Sequence, residues 1–197
     1  MTELKDKYNN GEIPQSSLVK LDTGQSLEKS AAQSFVRMKS DAAKQNIDIQ
    51  LVGKFSGYRP CGQKGDYNQG LSNGQFTQWY AWEKYKAGKG NLAANPTTSK
   101  GCKSNHGWGR AIDVKGSKAK KWIKDNGVPY GWVWYTKDGG EGEKAKEDWH
   151  FTYVNDKDTF EKKGVSSKKK GGLAYVLLGV AFVGLAYGFY FATRTKK

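Results

Sequence analysis

Only two histidines occur in the 197 residues, and each lies near a carboxylate at a spacing that chemistry can use. The segment Ser104-Asn105-His106-Gly107-Trp108-Gly109-Arg110-Ala111-Ile112-Asp113 sets a His and an Asp seven apart, with two glycines between them that permit a tight backbone path. Further on, Glu147-Asp148-Trp149-His150 sets a Glu three residues before the second His. Two neutral imidazoles and one carboxylate make three protein ligands for zinc and leave a fourth position open for water, the arrangement of a catalytic rather than a structural site. A metal there lowers the pKa of its water toward about 7 and polarises a scissile carbonyl. A free carboxylate must then take the proton, and Glu147 is the candidate. Taken singly, a His near a Gly-rich turn is more often structural, and an Asp in a strand more often a cap or a surface residue. What favours the metal is that both histidines of the chain fall into such contexts.

Arg59 is a third candidate. Its planar, permanently charged guanidinium suits a peptide's terminal carboxylate or a developing oxyanion, with an ordinary salt bridge as the alternative. Ser104 and Trp108, on either side of His106, are candidate substrate contacts. Trp132, Trp134 and Trp149 read as core.

These residues need elements to hold them. Ser26 to Ala43 has Leu27, Ala31, Phe35, Met38 and Ala42 at helical spacing, and a strand follows from Ile47 toward Tyr58. A second helix is expected from about Asn73 to Ala87, stopped by Gly88, and then a loop from Asn91 to Lys103. Ala111 to Val114 reads as a strand with Ile112 and Val114 facing the core and Asp113 facing away. Ser117 is expected to cap a short helix that Gly127 ends. Gly131 to Tyr135 and Trp149 to Tyr153 read as strands on either side of a charged loop, 137–146. On the last strand Trp149, Phe151 and Tyr153 share one face and His150 takes the other. Glu147 and His150 would point apart on an ideal strand, so Glu147 belongs on a turn just before it. The pattern predicts an α+β fold with a small antiparallel sheet and flanking helices.

The C-terminal end reads differently. Residues 173–193 form an almost uninterrupted apolar run without charge, long enough at about 1.5 Å per residue to cross a hydrocarbon core of about 30 Å. The expected organisation is a catalytic domain over 1–160 (core 10–154), a basic Ser/Lys/Gly linker over 161–172, a transmembrane helix over 173–193 and a basic tail over 194–197. Eight of the 33 Lys and Arg and one of the 19 acids lie from Glu161 onward, so the formal charge of +14 divides equally, +7 to each part. Half the basicity therefore flanks the membrane span. The rest suits an anionic polymer. Four arginines and no recognised binding motif argue against nucleic acid. Gly184 and Gly188, with Ala192 beyond, could let two tails pack closely. Met1 to Pro14 is polar, and no secretory signal is expected there. The five lysines from Lys162 to Lys170 outnumber the three bases after the span, which favours a cytoplasmic start for the catalytic domain.

The motifs Ser-x-His-x-x-Gly-x-Ala-x-Asp, from Ser104 to Asp113, and Glu-x-x-His, from Glu147 to His150, resemble the paired signature of the D-alanyl-D-alanine carboxypeptidase and L-alanyl-D-glutamate metallopeptidases. Upstream, Ser56-Gly57-Tyr58-Arg59 resembles that family's Ser-Gly-Tyr-Arg segment. The resemblance spans about 10–154 and is nearest the phage endolysin-like branch. It implies the fold shared with lysostaphin-type enzymes and the hedgehog signalling domain. It further implies zinc on His106, Asp113 and His150, Glu147 as general base, and Arg59 on the substrate and oxyanion. The chain departs from the pattern at Gly101-Cys102-Lys103, where the family often has Pro-Gly before the Ser. Cys61 and Cys102 fall on loops that should border one cleft, and either a disulfide or two free thiols fits. The implied function is hydrolysis of peptidoglycan stem peptides by a single-pass membrane protein, in a virion membrane or a host cell membrane. Its rivals are a bacterial membrane-bound D,D-carboxypeptidase that trims the wall, and a zinc-structured wall-binding module without turnover.

Overall fold

The computed structural model describes residues 3–53, 55–67, 76–91, 93–96, 102–134 and 147–160. All of them belong to the first of the chain's two units, Met1–Lys163. The linker, the 173–193 span, the basic tail and the 137–146 loop lie outside the described residues. Among the described residues no helix is long and apolar enough to cross a membrane.

The chain opens with a short helix α1 (Glu3–Lys7) and a 3-10 turn at Gln15–Ser17. Strands β1 (Val19–Lys20) and β2 (Ser26–Leu27) then pair antiparallel, Val19 with Leu27 and Lys20 with Ser26. This hairpin corrects the expected start of the first long helix. Ser26 is spent on strand pairing, and α2 runs Lys29–Ala43. Glu28 caps it, its carboxylate accepting from the backbone N–H groups of Ser30 and Ala31.

The expected strand from Ile47 toward Tyr58 shrinks to β3 (Gln50–Leu51). Val52 N–H still donates to the Asp113 carbonyl, but the chain then turns through Gly53–Ser56, and Asp113 N–H is met by the Ser56 carbonyl. Helix α3 spans Gln78–Lys86 and is capped by Thr77, whose hydroxyl accepts from Tyr80 N–H. Strand β4 (Ala111–Lys115) leads to α4 (Ser117–Asn126). There the cap is Gly116 and not Ser117, and no side chain caps the helix. Strands β5 (Tyr130–Val133) and β6 (His150–Asp158) complete an antiparallel sheet of order β3-β4-β6-β5. The last strand runs past Tyr153 because its outer end pairs with β5, Asp158 opposite Tyr130.

Helix α2 covers β5 and β6, and α4 covers β4 and β5. Leu27, Phe35, Met38, Ile49, Ile112, Ile123, Trp132, Phe151 and Tyr153 fill the space between, each almost wholly buried. At about 25 cal/mol per Å² of apolar surface removed from water, this layer is what holds the sheet flat against its helices. Arg37 of α2 reaches Asp158 at 2.7 Å, and Tyr153 donates to the same carboxylate oxygen at 3.0 Å. With α2, α4 and the core on one side, the face of β4 and β6 that carries Asp113 and His150 is left for the site.

Candidate metal centre

The register of the sheet makes Asp113 and His150 direct cross-strand partners. Side chains opposite one another in an antiparallel pair share a face. Alternation along β4 sends Ile112 and Val114 into the core and Asp113 out of it. His106 arrives from a separate 3-10 turn, Asn105–Trp108, that opens on Ser104, whose hydroxyl accepts from His106 N–H at 3.3 Å.

The three side chains meet. Asp113 Oδ1 lies 3.2 Å from His106 Nε2 and 3.1 Å from His150 Nδ1. One ligand atom from each of the three lies within 4.8 Å of the others. His106 Nδ1 is 2.8 Å from the Gly57 carbonyl, which can only accept, so the proton of the neutral ring sits on Nδ1. Nε2 then turns a lone pair toward an ionised carboxylate oxygen. Two acceptors held at this distance call for a cation between them. The spacing fits one: ligands about 2.0–2.1 Å from a tetrahedral zinc lie roughly 3.3 Å apart. The carbonyl of Gly57 behind His106, and the Thr152 hydroxyl 3.4 Å from His150 Nε2, orient the two rings as outer partners of a metal site do.

Charge states agree with ligand duty. Burial lowers the His106 pKa to about 4, so the imidazole is neutral at pH 7. Burial alone would raise Asp113, but positive charge on the side of His106 and His150, which in the metal-free site is a proton on a facing ring nitrogen, holds its carboxyl well below the usual range. Arg59 completes the ring of contacts. Its Nη2 is 3.3 Å from Asp113 Oδ2 and 3.4 Å from the Phe55 carbonyl, and the guanidinium lies 5.1 Å over the Phe76 ring. Burial lowers its pKa, against the pull of Asp113 and Glu147. Part of the Arg59 fork is therefore engaged in steadying a ligand.

Glu147 sits on the turn before β6, where His150 N–H donates back to the Glu147 carbonyl at 3.3 Å. That turn is held from two sides. Trp134 Nε1 donates to the Glu147 carbonyl at 2.9 Å, and Asp148 pairs with Lys120 of α4. A cavity of about 350 Å³ is lined by Glu147 together with Arg59, Ser104, His106, Asp113 and His150. Trp108 is not among its described lining residues, contrary to the sequence expectation; it packs beneath Lys5, 5.3 Å from the ammonium. Trp149 lines the cavity instead, because it lies on the turn ahead of β6, where strand alternation does not yet apply.

Behind the candidate ligands lies a polar knot that sequence reading missed. Asn10 Nδ2 donates to the Ser104 carbonyl, Gln78 Nε2 donates to Asn10 Oδ1 and to the Arg59 carbonyl, and Ser104 N–H donates to Gln78 Oε1, all at 2.9–3.3 Å. Gly107 faces this knot, and a Cβ there would overlap Asn10 Oδ1 and Gln78 Nε2. Cys61 and Cys102 are joined as a disulfide across the same region. The backbone N–H groups of Cys61 and Cys102 donate to the carbonyls of Gly11 and Asn10.

No curated protein matches the chain. Among solved structures, it is similar to the vancomycin resistance D,D-pentapeptidase VanY in complex with Zn(II), at 19% identity over 76% of this chain and 86% of that one, TM-score 0.45. It is also similar to VanYB in complex with D-alanine-D-alanine, at 17% identity over 77% and 83%, TM-score 0.45. DacB from Streptococcus pneumoniae D39 is a third, at 21% identity over 82% and 80%, TM-score 0.43. The family model for VanY, D-alanyl-D-alanine carboxypeptidase, matches residues 24–156, well over half of the chain and every residue of the metal-ligand cluster. The chain belongs to the VanY D-alanyl-D-alanine carboxypeptidase family.

Proposed function

We propose that the chain is a zinc metallopeptidase that hydrolyses peptide bonds in peptidoglycan stem peptides. The observation that carries this reading is a general-base candidate, Glu147, in the same cavity as the His106, Asp113 and His150 cluster. His106 through Nε2, Asp113 through Oδ1 and His150 through Nδ1 would hold the ion. Zinc bound there supplies Lewis acidity, which polarises a carbonyl and acidifies a water. Glu147 takes the proton of the attacking water and returns it to the leaving amine. Arg59 holds Asp113 in place and turns its remaining N–H groups toward the carbonyl oxygen as charge develops there. Trp149 and Phe76 exclude water from the peptide. A wall-binding module without turnover has no use for a carboxylate poised as Glu147 is.

Family membership favours removal of a terminal residue, as a D,D-carboxypeptidase does, over internal cleavage. The apolar run at 173–193 supports attachment to a membrane. A lytic or entry enzyme carried by a phage or virion accommodates an anchored peptidase with a cytoplasmic start; a wall-trimming enzyme of a bacterial membrane is the alternative. Mass spectrometry of purified wall fragments after digestion tests the reading. Loss of a single alanine from pentapeptide stems marks a carboxypeptidase, and new internal ends mark an endopeptidase. Unaltered fragments in the presence of added zinc would reject the peptidase altogether.

A further inference from the structure

Beyond the residues given roles above, the described lining of the cavity is mainly apolar and carries one further ionisable side chain, Lys84. Lys84 lies in the last turn of α3. The helix ends at once and the chain doubles back, with Lys89 N–H donating to the Lys84 carbonyl at 3.1 Å. This return lays Gly90 against the Lys84 stem. A Cβ on Gly90 would sit 3.1 Å from Lys84 Cγ and 3.4 Å from Cδ, so the glycine lets the returning chain pack closely on the stem. The neighbouring acid does not neutralise it. Both Glu83 oxygens are turned away, accepting from the backbone N–H groups of Gly65 and Tyr67 at 2.7 and 2.9 Å. Lys84 forms no ion pair among the described residues. Ala81, Ala93 and Ala94 are its companions in the lining.

The other cation of the cavity, Arg59, already has a carboxylate: its Nη2 is 3.3 Å from Asp113 Oδ2. Among the described residues the cavity lining therefore holds a half-buried lysine without an ion pair, beside apolar walls where a charge pair is less screened than at an open surface. We propose that Lys84 is a specificity-determining residue whose ammonium pairs with a free carboxylate of the bound peptide, so that the enzyme selects anionic peptides over their amides. The inference rests on the peptidase reading above and adds the substrate feature that is read. That carboxylate is either the C-terminal one or the side chain of an acidic residue in the stem.

Three matched synthetic stem peptides distinguish these sources: the parent, its C-terminal amide, and the parent with its acidic side chain amidated. The ratio of kcat/KM for the parent to that for each amide is measured on the zinc-loaded full chain. Wild type is expected to favour the parent by about 10-fold or more over one of the amides, the worth of a hydrogen bond to a charged group. Lys84→Met should bring that same ratio close to one, and Lys84→Arg should restore most of it. The amide whose ratio collapses identifies the carboxylate. If Lys84→Met lowers all three peptides by the same factor, or wild type does not discriminate among them, the assignment is overturned while the peptidase reading stands. Failure of wild type to cleave any of the peptides or purified wall would remove both.

Discussion

Opening the Cys61–Cys102 bridge should cost this domain a large part of its stability. The bridge closes a loop with a sequence separation of 41 residues. Chain-entropy arithmetic for such a loop gives about 13 cal/mol/K lost from the unfolded ensemble, or about 4 kcal/mol at 25 °C. Set against a typical domain stability of about 5–15 kcal/mol, this is a major term. For a domain of this size it corresponds to a fall in Tm of about 8–16 °C. The native state itself should change less, because the N–H groups of Cys61 and Cys102 remain bonded to Gly11 and Asn10 whether or not the sulfurs are joined. The assay is urea unfolding of the wild type and of the double variant Cys61→Ser, Cys102→Ser. The variant should show the lower midpoint and a larger m-value, since its unfolded chain exposes more surface. A stability within about 1 kcal/mol of wild type would refute the entropic reasoning. Two titratable thiols in the denatured, unreduced wild type would refute the bridge itself.

Glu147→Gln should keep zinc and slow turnover by about 10²–10⁴-fold, whereas His106→Ala or His150→Ala should lose both; atomic absorption beside a peptidase assay separates base from ligand. Arg59→Lys keeps the charge but not the fork that reaches Asp113 and the Phe55 carbonyl, so zinc affinity should fall along with turnover, and metal titration that matches wild type would remove the steadying role. Gly107→Ala should cost about 1–3 kcal/mol, because its Cβ meets Asn10 and Gln78, and thermal unfolding checks this. The metal-free domain should weaken with acid before its carboxylates protonate. The folded His106 pKa of about 4 lies below its unfolded value, so the unfolded chain takes the proton first, and stability falls between about pH 6.5 and 4 by about 3 kcal/mol. A flat profile across that window in chelated protein would contradict it.

The candidate ligand cluster was legible because its signal is local. His106 and Asp113 share one short segment, and Glu147 and His150 share another, so spacing alone exposes them. Helix α2 and strand β4 were equally plain, their apolar residues recurring at one fixed period and then the other. The start of α2 was misread because Ser26 and Leu27 satisfy the helical pattern and the strand pattern alike, and pairing with Val19 and Lys20 decided between them. The strand after α2 was overextended because Ser56 rejoins β4 through a turn rather than a ladder. Trp149 was read as core for a similar reason, since it lies on the turn ahead of β6, where alternation does not set direction. Asn10 and Gln78 gave no signal at all. They are isolated polar residues, 68 apart, and their meaning comes only from the groups they touch.

The placement of Asn10 has a practical consequence for where the domain begins. The family match starts at residue 24, and a truncated protein designed on that boundary would discard Asn10 and Gly11. It would retain every residue assigned to catalysis and to the metal. Yet Ser104 would lose a donor to its carbonyl, Cys61 and Cys102 would lose their backbone acceptors, and Gln78 would keep a buried amide with one partner fewer. Any of these groups left buried without a partner costs about 1–3 kcal/mol, and they sit directly behind the 3-10 turn that carries His106. The trimmed protein would be expected to bind zinc loosely and to yield inactive material. The residues ahead of the recognisable domain, Asn10 and Gly11 among them, serve as its back wall.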